Sequence, residues 1–370
     1  MTVFFLRLSF FLTLLLIAQG TISLSWEHAP RSSAEKAIFS VDLPLGWRVT
    51  LPDPDVASPA PEIKSIQQYM RVHPRLGFLW QPNIDTSDNV VLQWGDTPPG
   101  ALSTDEYGFA NSPDAIALKK ANAPIDIIGV GASFMGGAQG LFHEYFWLKG
   151  MFYYNMAHGR FTLTNFNAAM EEYAIPARPR LIVYELNEAS FYMMDDFEQW
   201  RKSGIDWFTY HSGSWCGPAV KTGVPYDQLR TCRPAFALFA ATERTLFKKS
   251  IDRPDDTVKR RLVEKAFRYI REASAAAGKN GIAFVVLFIP DKARMIGGPS
   301  PNHFIFERIG PRLREAGILF IDLRDAFAQS GDPRDLYFVI DNHWNRKGIY
   351  IAAREILKFA KNETAEVTND

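Results

Sequence analysis

The sequence predicts an α/β fold, a parallel sheet covered by helices on both faces. Three observations lead there. From residue 125 onward, apolar strand-like runs alternate with helix-like stretches, the pattern of repeated β–α units. The small-residue segment Gly131-Ala132-Ser133-Phe134 comes directly after the first of these runs and opens into a helix. Asp341-Asn342-His343-Trp344 stands just ahead of the last helix. At 370 residues the chain is long enough for one large domain or two modest ones, with ample core.

Taken in order, the N-terminus reads as a targeting segment. A single positive charge, Arg7, precedes the apolar stretch Leu8–Ala18, and Ala18-Gln19-Gly20 offers small residues at cleavage spacing. Residues 1–24 are therefore expected to be a signal peptide removed on export. The alternative is an uncleaved N-terminal anchor, short by bilayer standards, that would associate the protein with a membrane. Both readings place the body of the protein outside the cytoplasm, periplasmic or secreted.

Residues 25–120 read as a strand-rich N-terminal region. Prolines at 44, 52, 54, 59, 61, 74, 82, 98 and 99 exclude long helices there and leave a short one over Ile63–Arg71. Leu76–Trp80 and Val90–Trp94 have the composition of short strands.

Residues 121–362 carry the α/β pattern. Ile125–Val130 is a buried-strand run, and a helix follows over Gln139–Lys149. Met151–Asn155 is a second strand and Leu163–Tyr173 a helix; Leu181–Leu186 is a third strand. Thr257–Ala277 is amphipathic, with Leu262, Ala266, Tyr269 and Ile270 on one helical face. Ile282–Ile289 is the most hydrophobic strand of the chain. The helix His303–Ala316, the strand Ile318–Ile321 and the helix Asn345–Phe359 complete the series. The stretch 198–250 breaks the alternation and reads as an insertion beside the site. It holds both cysteines of the chain, Cys216 and Cys232. An even count in an oxidising compartment favours a disulfide, and closing a loop of this length contributes on the order of 3 kcal/mol.

Composition narrows the function. Hydrophobic residues make up 47% and charged ones 22%, as in an ordinary globular protein. Formal net charge is zero, so nothing favours a nucleic-acid partner. Aromatics at 14% read as additional core. No Cys/His group has metal-ligand spacing, since His143-Glu144 lacks the second histidine of a zincin, and neither a metal nor a cofactor is expected.

In parallel sheets the site lies at the carboxyl ends of the strands. Ser133, Gly159, Asn187 and the 341–343 segment each follow a strand, so they can converge on one edge. A serine at a strand-to-helix turn, with Asp-x-His returning late, supplies a nucleophile, an orienting carboxylate and a base: Ser133, Asp341 and His343. Asp322 and Asp335 also lie near His343 in sequence. The glycine-rich stretch Gly129–Gly137 is not a nucleotide loop. A dinucleotide fingerprint from Gly129 would need glycine where Phe134 stands, and no Lys-Ser/Thr follows for a P-loop. It also misses the G-x-S-x-G elbow by one residue. What it does offer is a serine at a helix N-terminus, where backbone N–H groups can face a developing oxyanion. His73, His158, His211 and His303 read as structural, and Asn362-Glu363-Thr364 is a glycosylation sequon by spelling only.

These blocks resemble those of the SGNH (GDSL-type) hydrolases, whose four motifs carry Ser, Gly, Asn and His. Gly131-Ala132-Ser133 is similar to the first block, with Ala132 where aspartate is usual. Tyr154-Asn155-Met156-Ala157-His158-Gly159 is similar to the second, and Val183-Tyr184-Glu185-Leu186-Asn187-Glu188 to the third. Asp341-Asn342-His343-Trp344-Asn345, with Gly348 following, resembles the last, in the Asp-x-His-Trp form of SGNH-like polysaccharide O-acetyltransferases. The resemblance covers residues 125–360. It implies a flavodoxin-like three-layer α/β/α sandwich and an oxyanion hole built from Ser133, Gly159 and Asn187. It also implies an exported serine esterase acting on an O-acetyl or other short-acyl ester of a small molecule or carbohydrate. The alternatives are an O-acyltransferase moving an acetyl group onto an envelope polysaccharide, and a non-catalytic binding or assembly module.

Overall fold

The computed structural model describes residues 38–43, 47–52, 70–85, 91–92, 100–159, 161–187, 256–297, 304–339 and 342–367, with Met194, Glu198 and Lys202. Cys216, Cys232, Asp341, His211, His303 and the signal segment lie outside the described residues, and so does almost all of 198–250. Strands β1 (Ile38–Leu43) and β2 (Trp47–Pro52) pair antiparallel as a hairpin in one compact unit. The chain from Lys64 on forms the other.

In that second unit, β3 (Met70–His73) and β4 (Gly77–Trp80) make an antiparallel hairpin. The short helix expected over Ile63–Arg71 is therefore corrected at its described end, since Met70 and Arg71 are strand residues opposite Trp80 and Leu79. The reason is local. His73 Nδ1 accepts the N–H of Leu76 at 3.0 Å and closes a turn around Pro74, which folds β4 back onto β3. Strands β5 (Val91–Leu92) and β6 (Gly100–Ala101) form a second small pair, and helix α1 (Pro113–Lys120) leads into the sheet. Leu76, Phe78, Leu79 and Phe109 join the core beside the sheet residues Ile128 and Val130.

Five parallel strands form the sheet. They are β7 (Ile127–Val130), β8 (Tyr153–Asn155), β9 (Leu181–Asn187), β10 (Ala283–Ile289) and β11 (Phe320–Asp322), in the spatial order β8-β7-β9-β10-β11. Numbered from the first sheet strand, this is the 2-1-3-4-5 order of a flavodoxin-like sheet. The connecting helices are α2 (Ser133–Trp147), α3 (Leu163–Ala169, prolonged by a π turn over Met170–Ala174), α4 (Asp256–Lys279), α5 (Lys292–Met295), α6 (Phe304–Glu315), α7 (Leu323–Ala328) and α8 (Arg346–Val367). A 3-10 turn, Pro333–Leu336, precedes the His343 segment.

Strand alternation divides the apolar residues into two layers. On one face Ile182, Tyr184 and Leu186 of β9 and Val286 and Phe288 of β10 meet Leu163 and Phe166 of α3, and also α4 and α6. On α4 the buried residues recur at Leu262, Ala266, Ile270, Ala273 and Ala277, a single helical stripe. On the other face Leu181 and Val183 of β9 and Val285, Leu287 and Ile289 of β10 meet α2, α7 and α8. The result is the three-layer α/β/α sandwich that the alternation predicts. The order reverses at β7, with β8 on one side and β9 on the other, so a crevice opens at the carboxyl end of β7.

Candidate active site

Helix α2 begins at that crevice. The tight turn after β7 needs Gly131, because a Cβ there would overlap the Glu185 carboxyl oxygen and its Cβ. Ala132 is the N-cap residue and has no side chain with which to cap. The cap comes instead from β9: Glu185 Oε2 accepts the N–H of Ala132 at 2.8 Å and of Met135 at 3.0 Å. Ser133 is the first helical residue, half-buried, with its N–H in the turn that has no intrahelical acceptor.

The structure brings Ser133 and His343 together. His343 Nε2 lies 2.6 Å from Ser133 Oγ, a hydrogen bond between residues 210 apart in sequence. The surroundings of His343 set this distance. The imidazole packs on the Phe134 ring with centroids 4.7 Å apart, and the Trp344 indole N–H donates to the Phe134 carbonyl at 3.0 Å. Both contacts tie the histidine segment to the first turn of α2. Behind it, Phe338 N–H donates to the His343 carbonyl at 3.0 Å and Asn345 N–H to the Leu336 carbonyl at 2.9 Å. Lys292 Nζ donates to the Phe338 and Val339 carbonyls at 2.6 and 2.7 Å. Asn345 Oδ1 accepts the N–H groups of Lys347 and Gly348 at 2.9 and 3.3 Å, capping the start of α8.

Gly159 lies beside the same turn. Its nitrogen is 3.6 Å from where a Cβ on Gly136 would sit, and the adjacent His158 N–H donates to the Gly131 carbonyl at 3.1 Å. Asn155 is fully buried, and its Nδ2 donates to the Ala110 and Ala157 carbonyls, shaping the loop that presents Gly159. The His158 ring is held among Phe78, Trp80 and Phe161, and its Nδ1 pairs with the Gly159 carbonyl at 2.8 Å. His73 pairs with Tyr173 Oη at 2.8 Å. Asn187 is buried at the end of β9, and its Nδ2 donates to Glu185 Oε1 in a short hydrogen bond. The two other carboxylates near His343 in sequence are otherwise engaged. Asp322 caps α7 and pairs with Arg324, and Asp335 lies 3.6 Å from Lys347 Nζ.

Glu185 is the site residue that motif reasoning passed over. A signal was available, since it is a carboxylate inside the apolar strand Leu181-Ile182-Val183-Tyr184-Glu185-Leu186. Alternation puts it on the face of Val183 and Asn187, toward α2 and α8. It is fully buried, and burial pushes its carboxyl from an ordinary 4.5 up to about 7, against the lowering effect of the Met135, Asn187 and Ala132 hydrogen bonds. Leu287 of β10 stands opposite it, Gly131 and Met135 cover it, and the Tyr153 phenol shares its burial. That phenol is itself shifted upward, by desolvation first and by the Glu185 charge second, so it stays neutral throughout the range of interest.

A carboxyl whose folded value lies above its unfolded one stabilises the fold while it is protonated. That contribution is complete below about 4.5 and is lost as pH rises through about 7. The wild-type thermal midpoint is therefore expected to fall between pH 5 and pH 8 by more than that of a Glu185→Gln variant. Parallel curves would mean that Glu185 does not titrate in this window.

Among the described residues no group of three or more His, Cys, Asp and Glu could hold a metal, and no helix is long and apolar enough to cross a membrane. A cavity of about 710 Å³ lined by Arg261, Lys265, Arg268 and Arg312 shares no lining residue with the Ser133 turn. Its carboxylates are paired, Glu198 with Lys265 and Glu264 with Arg312.

Residues 240–369 match the family model described as the SGNH hydrolase-like domain of the acetyltransferase AlgX. The matched range contains the His343 segment and not Ser133. Similar solved structures include a GDSL-like lipase from Bacteroides thetaiotaomicron, at 12% identity and TM-score 0.37, covering 68% of this chain and 98% of that one. A catalytic mutant of the acetylxylan esterase Axe2 from Geobacillus stearothermophilus has 12% identity and TM-score 0.38, covering 64% and 94%. No curated protein sequence matches the chain at significance. With a 2-1-3-4-5 parallel sheet and a Ser–His pair at its switch point, the chain has the fold expected of an SGNH hydrolase, and over residues 240–369 it is similar to an SGNH hydrolase-like acetyltransferase domain.

Proposed function

We propose that the protein is an exported serine enzyme acting on a short-acyl ester, acetyl foremost, through an acyl-serine intermediate. The observation that carries this reading is the 2.6 Å hydrogen bond from Ser133 Oγ to His343 Nε2 at the mouth of the sheet. Ser133 Oγ attacks the ester carbonyl while His343 takes its proton, and Asp341 holds the imidazole tautomer. The tetrahedral oxyanion is met by the N–H groups of Ser133 and Gly159 and by the Asn187 side chain. His343 returns the proton to the departing alkoxide, leaving acetyl on Ser133 Oγ. Water, activated by the same imidazole, then releases acetate and restores the serine.

A carbohydrate hydroxyl in place of water makes the same chemistry an O-acetyl transfer. The family match to an acetyltransferase domain over residues 240–369 favours this second reading. Export rests on the Arg7 and Leu8–Ala18 pattern, and mass spectrometry of the mature N-terminus in its native host tests it.

The acyl-serine reading is tested by labelling with a fluorophosphonate, wild type against Ser133→Ala. The wild type is expected to form one adduct, mapped to Ser133, and the variant none. An unlabelled wild type that also releases no acetate and transfers none to sugars would favour a non-catalytic module.

A further inference from the structure

The Ala132 position raises a question that the acyl-serine mechanism leaves open. A small polar residue at the N-cap would satisfy the first turn of α2 locally. Here the cap is a carboxylate that crosses from the next strand. An apolar residue at 185 would fit the layer of Val183 and Leu287 without the cost of burying a charge. The side chain that stands there does two things at once. Oε2 takes the N–H groups on either side of Ser133 and Phe134, and Oε1 takes the Asn187 amide.

We propose that Glu185 is a positioning residue of the acyl-transfer site, one carboxylate that sets both the Ser133 turn and the direction of the Asn187 amide. The assignment rests on the acyl-serine reading. An asparagine side chain presents oxygen on one end and two N–H bonds on the other. In its ionised form, above about pH 7, the Glu185 carboxylate accepts and does not donate, so it faces only the nitrogen end of Asn187. The amide plane is thereby fixed with its N–H bonds on the Glu185 side of the strand end. The same group holds Ala132 and Met135, so the distance between serine and amide is set by one rigid planar unit with no exposed surface. Ser133 opens the helix that follows β7 and Asn187 ends β9, and Glu185, two residues before Asn187 on β9, grips the turn after β7.

Replacement by glutamine discriminates positioning from a purely structural cap. Glutamine can keep its oxygen on the two backbone N–H groups, which preserves the turn. Its NH2 then faces Asn187 and demands an acceptor, so the Asn187 amide has to reverse and offer oxygen. The serine stays in place and the oxyanion donor is turned away.

The experiment is steady-state hydrolysis of 4-nitrophenyl acetate by the wild type, Glu185→Gln, Asn187→Ala and the double variant, each with its thermal unfolding curve. Loss of one oxyanion donor is worth about 10²–10³ in turnover, and a fall in kcat of that order with little change in KM is expected for Glu185→Gln. The double variant is expected to be no slower than Asn187→Ala alone, because both changes remove the same interaction. Wild-type kcat in Glu185→Gln, or losses that multiply in the double variant, would overturn the proposal. If Glu185→Gln does not fold, Glu185→Asp serves. It keeps the charge but is too short to reach both partners, so the same kcat loss is expected, and an unchanged kcat overturns the assignment. A wild type that neither turns over the ester nor labels at Ser133 refutes the acyl-serine reading itself, and with it this role.

Discussion

A His343→Ala variant is expected to lose roughly 10⁴-fold or more of kcat on a small acetyl ester while its thermal midpoint changes little. Without the imidazole the group hydrogen-bonded to Ser133 Oγ that would take its proton is gone, and the alcohol is a weak nucleophile at neutral pH. The proposed oxyanion donors should survive the change, because Ser133, Asn187 and Gly159 are held by the turn after β7, by β9 and by the 155–159 loop rather than by His343. Residual rate above that of water should come from those donors. The fold should tolerate the change because His343 is half-buried and its ring lies on one face of Phe134 at the edge of the core. Kinetics and unfolding measured on the same preparation check both halves. Near-full activity would place the base elsewhere. A collapse of the thermal midpoint would mean that the histidine is mainly a packing residue.

The second large effect is expected at Trp344, and it is an effect on stability. The indole is almost fully buried, and its N–H donates to the Phe134 carbonyl. It packs edge-on against Phe134 and Phe142, with centroids 5.6 and 5.9 Å away. Truncating a buried tryptophan to alanine typically costs about 3–5 kcal/mol through lost transfer energy and the cavity left behind. Trp344→Ala should therefore remove a large fraction of the about 5–15 kcal/mol stability of a typical domain and lower the denaturant midpoint accordingly. Trp344→Phe keeps an aromatic ring and loses the hydrogen bond, so it should be much milder in stability. It should still loosen the His343 segment, because the bond to the Phe134 carbonyl is what ties that segment to the nucleophile turn. Activity that falls in Trp344→Phe while the midpoint holds would separate the two roles. Equal midpoints for Trp344→Ala and the wild type would contradict the packing argument.

The sequence by itself determined the five strands of the sheet and the long helices α2, α3, α4, α6 and α8, though not the short helices α1, α5 and α7, the start of α2 or the end of α8, for a physical reason. Strand and helix periodicities are local properties of apolar spacing, and from β7 to α8 each run carries its own. Ile182, Tyr184 and Leu186 alternate with Leu181 and Val183 whether or not the partner layers are known. The glycine turn before Ser133 and the Asp-x-His-Trp segment before α8 were legible as well, because both are short and stand at strand or helix ends. The hairpin at Met70–His73 was not, since its pairing with β4 depends on the turn closed by His73 and on packing against the sheet. Only the tertiary structure decided which groups meet. The 2-1-3-4-5 order puts the turn of β7 beside the end of β9. A carboxylate embedded in a strand can then cap a helix that begins some 50 residues earlier in the chain. That contact follows from strand order and register, which are long-range and carry no local pattern. For this reason the sequence shows only alanine at 132, while in the fold Glu185 caps its turn.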